Sequence, residues 1–246
     1  MIQIDKDSKE KRNKKYNDWA RTRPAYIFLA IPIVLGVTMG INDYMATKLW
    51  GKALICLTSI STISAALLFL LRFTLRDISK LYPGKILFCD RLKPTTKLLY
   101  NNDSTYTEER KAEIREKIKS KKNIDLQKYK RKTYRNKKYV KRVDEAVVWL
   151  LDVTRFDDIL FEYNCMYGFW RNLTGALLVD ALFVWGLTAV NKWFYTLPFG
   201  NVLAWLGGIM ILLIVSTTIM AYHNGRIFAK KMYDVFMNLN EDKNNY

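Results

Sequence analysis

Histidine is almost absent from this sequence: His223 is the only one in 246 residues, and cysteine occurs three times, at Cys56, Cys89 and Cys165. No two of the cysteines stand at metal-ligand spacing, so neither a zinc site nor a redox pair is expected. A Gly-rich phosphate loop and a nucleophile elbow are also missing. Asp157-Asp158 with Glu162 forms an acidic group that could hold a metal, but such groups more often cap a helix or pair with nearby Lys and Arg. The expectation is no catalytic residue, no metal and no cofactor.

Formal charge is missing from four long runs. Residues 24–42 and 53–71 carry none over 19 residues each, residues 193–225 carry none over 33, and residues 172–191 carry only Asp180. Crossing a hydrocarbon core of ~30 Å at ~1.5 Å per residue takes about 20 apolar residues, so each run is long enough to span. Four buried helices of a soluble protein are the competing reading, but runs without a polar face leave no side for water. Pro32, Gly36 and Gly40 interrupt the first run, which also reads as an uncleaved signal anchor. The mean hydropathy of −0.10 conceals these runs, because it averages them with strongly polar segments.

Basic residues give the orientation. Of the 40 Lys and Arg, only Lys48, Lys52 and Lys192 fall in the two short loops on one side; the remaining 37 fall on the other. The positive-inside rule then puts both termini and the central segment in the cytoplasm. The expected fold is membrane α-helical, with four transmembrane helices and a basic, mainly helical cytosolic domain between spans 2 and 3. Its parts are a basic arm (1–24), a first transmembrane hairpin (25–72), a cytosolic sensor domain (73–171), a second hairpin (172–225) and a polar tail (226–246).

Within the central segment, Thr105-x-x-Glu108 resembles a capping box, and Glu108 to Lys122 reads as a helix with Glu113 and Lys117 paired one turn apart. Val140, Val143, Val147, Leu150, Leu151 and Thr154 recur at helical spacing over 139–156, an apolar stripe that some partner must cover. Ile86-Leu87-Phe88 suits a strand or a buried turn.

Residues 110–142 hold 16 Lys or Arg against three acids. Tyr129, Tyr134 and Tyr139 punctuate the densest part, where aromatic faces could stack bases. The candidate ligand-binding residues are Lys97, Tyr129, Lys130, Arg131, Lys132, Tyr134, Arg135, Lys137 and Lys138. An oligonucleotide or nucleotide and the anionic lipids of the inner leaflet fit this charge equally well.

Polar residues inside the runs form a second group. Asp180 is the only acid in any span, with Thr188 and Asn191 on roughly its face, and Thr58, Ser59, Ser61, Thr62 and Ser64 crowd the second span. Pore-lining is one reading, for Asp180, Thr188, Asn191, Ser59 and Thr62; helix–helix hydrogen bonding is the other. One four-helix subunit is too narrow to enclose a pore and still pack well, so a pore requires a homo-oligomer.

Asn164-x-x-Tyr167-Gly168-Phe169-x-Arg171-Asn172-Leu173-x-Gly175, together with Pro94-Thr95-Thr96-Lys97-Leu98-Leu99, resembles sequence elements of bacterial antiphage-defence membrane proteins, the ion-channel subunits of Hailong systems. Trp170 and Thr174 depart from that pattern. The resemblance implies a tetrameric ion channel governed by an oligonucleotide from a partner nucleotidyltransferase. Arg72, Arg76, Tyr167, Phe169, Arg171 and Asn172 are then the expected gating joint, or only an interfacial anchor. The functional expectation is a ligand-gated pore. A membrane-anchored protein that binds nucleic acid or a partner without conducting is the alternative, and a small-molecule transporter comes third.

Overall fold

The structure is a computed structural model that describes residues 2–30, 74–81, 93–194 and 200–239. The charge-free run 53–71, the polar loop between the first two runs and the Ile86–Phe88 segment lie outside them. The chain is mostly helical, without a strand among the described residues. It divides into two compact units. Met1–Pro83 with Gly168–Ala221 make the apolar unit, and Gly84–Tyr167 with Tyr222–Tyr246 make the basic unit.

The basic arm is helical. Helix α1 (Ile2–Asn17) passes into a wider π turn (Asp18–Thr22), and residues 23–30 continue as helix. The charged side chains of residues 7–15 are mostly exposed, as a helix without an apolar stripe requires.

In the basic unit, Pro94 occupies the first turn of the short α2 (Pro94–Lys97), where its missing N–H costs nothing. Helix α3 (Glu108–Lys122) has the bounds expected from sequence, with a different cap. Thr107, not Thr105, accepts the Arg110 N–H at 3.3 Å. Thr105 is used elsewhere, its N–H donating to Asp103 Oδ1 at 2.9 Å. The helix ends at Asn123, whose φ of 56° is a left-handed C-cap that asparagine tolerates. Thr107→Ala is expected to destabilise the basic unit by about 1 kcal/mol, read from the urea dependence of Trp149 fluorescence in a chain lacking its other tryptophans.

Helix α4 (Lys137–Val153) is capped by Asn136, which accepts the Tyr139 N–H at 3.3 Å. Its apolar stripe is covered by its own unit. Val140, Val143, Val147 and Leu150 join Ile114 and Ile118 of α3, Leu98, Leu99 and Leu126 in one core, while Leu151 stays exposed.

Two long helices follow, α5 (Asp158–Phe194, 37 residues) and α6 (Gly200–Asn238, 39 residues). Asp157, the first member of the acidic group, starts α5 as a cap by accepting the Leu160 N–H at 2.7 Å. Both are long and apolar enough to cross a membrane. At ~1.5 Å per residue each runs for about 55 Å, well beyond the ~30 Å of a hydrocarbon core. Their large side chains face outward: Leu182, Phe183 and Trp185 on α5, and Trp205, Leu212, Val215 and Ile219 on α6 are exposed.

The last part of α6 corrects the sequence reading. Residues 226–238, taken there as part of a polar tail, continue the helix and bury Phe228, Ala229, Met232, Tyr233 and Phe236 in the core of the basic unit. Lys117 turns to this element instead of pairing with Glu113. Its ammonium donates to the carbonyls of Met237 and Leu239 at 2.9 and 3.0 Å, satisfying acceptors at the helix end, while Glu113 takes Arg110 at 2.9 Å.

Candidate functional site

The densest positive charge sits on the segment joining α3 and α4. Lys128, Lys130, Arg131, Arg135, Lys137 and Lys138 are exposed, and Lys132 is half-buried. The tyrosines among them are not free stacking platforms. Tyr139 is fully buried and donates to the Leu99 carbonyl at 2.9 Å, Tyr129 packs edge-on against it at 5.6 Å, and Tyr134 lies against the same core. Burial pushes the Tyr139 phenol up, so it stays protonated as a donor at neutral pH. Tyr233, pushed up for the same reason, donates to the Thr95 carbonyl at 2.6 Å. The aromatic spacing read from sequence therefore serves the core as much as the surface.

Lys97 stands apart from that run. Its ammonium lies 3.1 Å from the Tyr222 hydroxyl and 4.0 Å from Asp103 Oδ2. Sequence reasoning missed what surrounds it. Lys111 and Arg115, 1% and 3% exposed, are buried cations that hold the 98–107 loop. Lys111 donates to the Asp103 carbonyl and to Glu108 at 2.8 Å, and Arg115 donates to the Leu99 carbonyl at 2.7 Å and to Asn101 at 2.9 Å. Arg226, from the supposed tail, donates to Thr105 Oγ1 at 2.7 Å. A signal for its placement was present: Phe228, Met232 and Phe236 repeat every fourth residue.

The residues expected to form a gating joint separate into two groups, because the division between units falls between Tyr167 and Gly168. In the basic unit, Tyr167 stacks on Phe228 with ring centres 6.2 Å apart. A Cβ at Gly225 would lie 2.8 Å from the Tyr167 ring and 3.0 Å from Pro94, so only glycine lets α6 pass this closely.

In the apolar unit, Asn172 ties three segments together. Its side-chain N–H donates to the Ala20 carbonyl inside the π turn, and its oxygen accepts from the Ser79 hydroxyl. A π turn disturbs the regular backbone ladder, and Asn172 answers its carbonyl from outside. Gly168 and Gly175 make the approach possible: a Cβ at Gly168 would lie 2.8 Å from Ala20, and one at Gly175 3.0 Å from Ser79. Phe169 packs edge-on against Trp170, and Thr174 bonds the Trp170 carbonyl of its own helix at 2.9 Å. The two positions that depart from the resembled pattern are thus locally accommodated. Arg76 pairs with Asp77 at 3.1 Å. Arg171 is half-buried and engaged, and Arg72 lies outside the described residues.

Of the pore-lining candidates, Asp180 and Thr188 are described, whereas Ser59, Thr62 and the side chain of Asn191 are not. Thr188 bonds the Val184 carbonyl of its own helix at 2.8 Å. Asp180 is fully buried, and neither carboxylate oxygen has a hydrogen-bond partner among the described residues. No family model, curated protein or solved structure matches this chain.

Proposed function

We propose that this protein is a homo-oligomeric, ligand-gated pore of the bacterial inner membrane, acting in antiphage defence under an oligonucleotide or nucleotide signal taken by its basic unit. The observation that carries the reading is Asp180, a buried acid with two unpartnered oxygens in an otherwise apolar helix. Such a group is costly in apolar surroundings, ~2.5–3.5 kcal/mol even on insertion scales, and becomes tolerable where water reaches it. A hydrated acid within an apolar helix also attracts cations.

Three further points support the reading. The 37-to-3 distribution of basic residues favours four spans with both termini and the basic unit in the cytoplasm. Helix α6 carries an exposed apolar run and buried residues of the basic unit without interruption, a direct covalent route for a ligand-driven shift. The resemblance to Hailong channel subunits supports a tetramer and a partner nucleotidyltransferase.

The test is oligomeric state in neutral detergent, followed by conductance in planar bilayers with and without a short oligonucleotide. A stable assembly whose conductance changes with the oligonucleotide is expected. An assembly or monomer that binds the oligonucleotide but never conducts would replace the pore with the anchored binding protein.

A further inference from the structure

A recess in the basic unit is lined by Pro94, Lys97, Leu98, Asp103, Tyr222 and Arg226. We infer that it is a phosphodiester site, with Lys97 and Arg226 as its cationic clamp and the Tyr222 and Thr105 hydroxyls as further donors. This rests on the reading that the basic unit takes a phosphate-bearing ligand, and it says where.

The charges in the recess are poorly balanced without an anion. Lys97 meets Asp103 only at 4.0 Å and otherwise faces the Tyr222 hydroxyl. Arg226 donates to the Thr105 hydroxyl and forms no ion pair with a carboxylate among the described residues. Two like charges sharing a recess repel, and a bound anion removes that repulsion while accepting their N–H groups. Behind the lining, buried Lys111 and Arg115 add positive potential that solvent screens little, offset by Glu108 at 2.8 and 3.9 Å. Their hydrogen bonds to the Asp103 and Leu99 carbonyls also brace the loop that presents Asp103 and Thr105. The site is therefore held in place before any ligand arrives.

The lining also selects the class of anion. Two cations against the single carboxylate of Asp103 leave it one positive charge, which suits a singly charged phosphodiester better than a doubly charged terminal phosphate. The exposed run 128–138 has a different part: solvated charge draws a polyanion toward the unit, and the recess fixes one phosphate of it. A nucleic-acid backbone and a phospholipid headgroup are both phosphodiesters. Because Tyr222 lies near the end of the charge-free run 193–225 and Arg226 directly follows it, the headgroup is a real second source.

The experiment uses the full chain in neutral detergent with two probes, fluorescein-labelled single-stranded DNA lacking a terminal phosphate and short-chain phosphatidylglycerol. For Lys97→Gln/Arg226→Gln, affinity for a probe the wild type binds should fall roughly tenfold or more, with Lys97→Arg/Arg226→Lys retaining most of it. If DNA is that probe, the salt dependence should flatten by about 0.7, the share of one phosphate contact on a single strand. Loss confined to DNA identifies a nucleic-acid backbone, and loss confined to phosphatidylglycerol a headgroup; either supports the site. Unchanged affinity in the Gln variant for probes the wild type binds overturns the recess and leaves the proposed function standing. A wild type that binds neither probe overturns both.

Discussion

Asp180→Lys should abolish cation passage through the reconstituted protein, while Asp180→Asn should preserve assembly and reduce the preference for cations. The side chain is fully buried and has no hydrogen-bond partner among the described residues. If the enclosure is dry, the asparagine change removes a burden, and its only effect should be greater stability. If water reaches the site, the carboxylate concentrates cations, so neutralising it weakens selectivity and reversing its charge blocks the path. The measurement is reversal potential across a salt gradient for the wild type and Asp180→Asn. Equal reversal potentials in a normally assembled mutant would make Asp180 a packing residue and move the pore off α5. Because lysine is longer and can disrupt folding by itself, the asparagine variant carries the decision.

The second large effect is expected at the three-segment crossing. Asn172→Asp replaces the donor to the Ala20 carbonyl by a carboxylate oxygen, leaving one buried acceptor against another. Ser79 loses no acceptor, since the other carboxylate oxygen can take its single proton as the amide oxygen did, and the Arg76 carbonyl lies 2.8 Å away as an alternative. The cost therefore comes mainly from the orphaned Ala20 carbonyl and the desolvated carboxylate, together about 3–5 kcal/mol. For a chain of this size that is a fall of roughly 6–20 °C in the melting midpoint, readable from intrinsic fluorescence in neutral detergent. Asn172→Leu, which removes the donor without adding charge, should fall about half as far. A midpoint within about 2 °C of wild type for Asn172→Asp would show that the contact does not hold the arm to α5.

How far this chain could be read without coordinates depended on whether a feature was local. The bounds of α3 were legible because a run of good helix formers is a property of neighbouring residues. The α4 stripe was legible because burial of one helix face imposes a 3.6-residue period on the sequence. The apolar runs of α5 and α6 were legible because a membrane-length helix needs no partner to be recognised. The capping residue of α3 was missed by two residues, since Thr105 and Thr107 are both competent caps and only the path of the 98–107 loop chooses between them.

What only the tertiary structure decided were pairings between residues distant in the chain. The sequence offers Lys97 as a candidate ligand-binding residue but not its neighbours; α6 brings Tyr222 beside it and Arg226 into the same recess. Lys111 and Arg115 look like surface charge on a polar helix, but the loop before it folds over them and uses their N–H groups. Tyr139 resembles a stacking platform by spacing and is a core residue by position. Asn172 sits in a recognisable motif, yet its partner carbonyl is 152 residues away in the chain. Composition, period and charge asymmetry are sums over neighbours, so the sequence alone determined the helices, the apolar runs and the direction of the charge. A hydrogen bond between distant segments depends on which surfaces pack together, and that choice is made only when the whole chain folds.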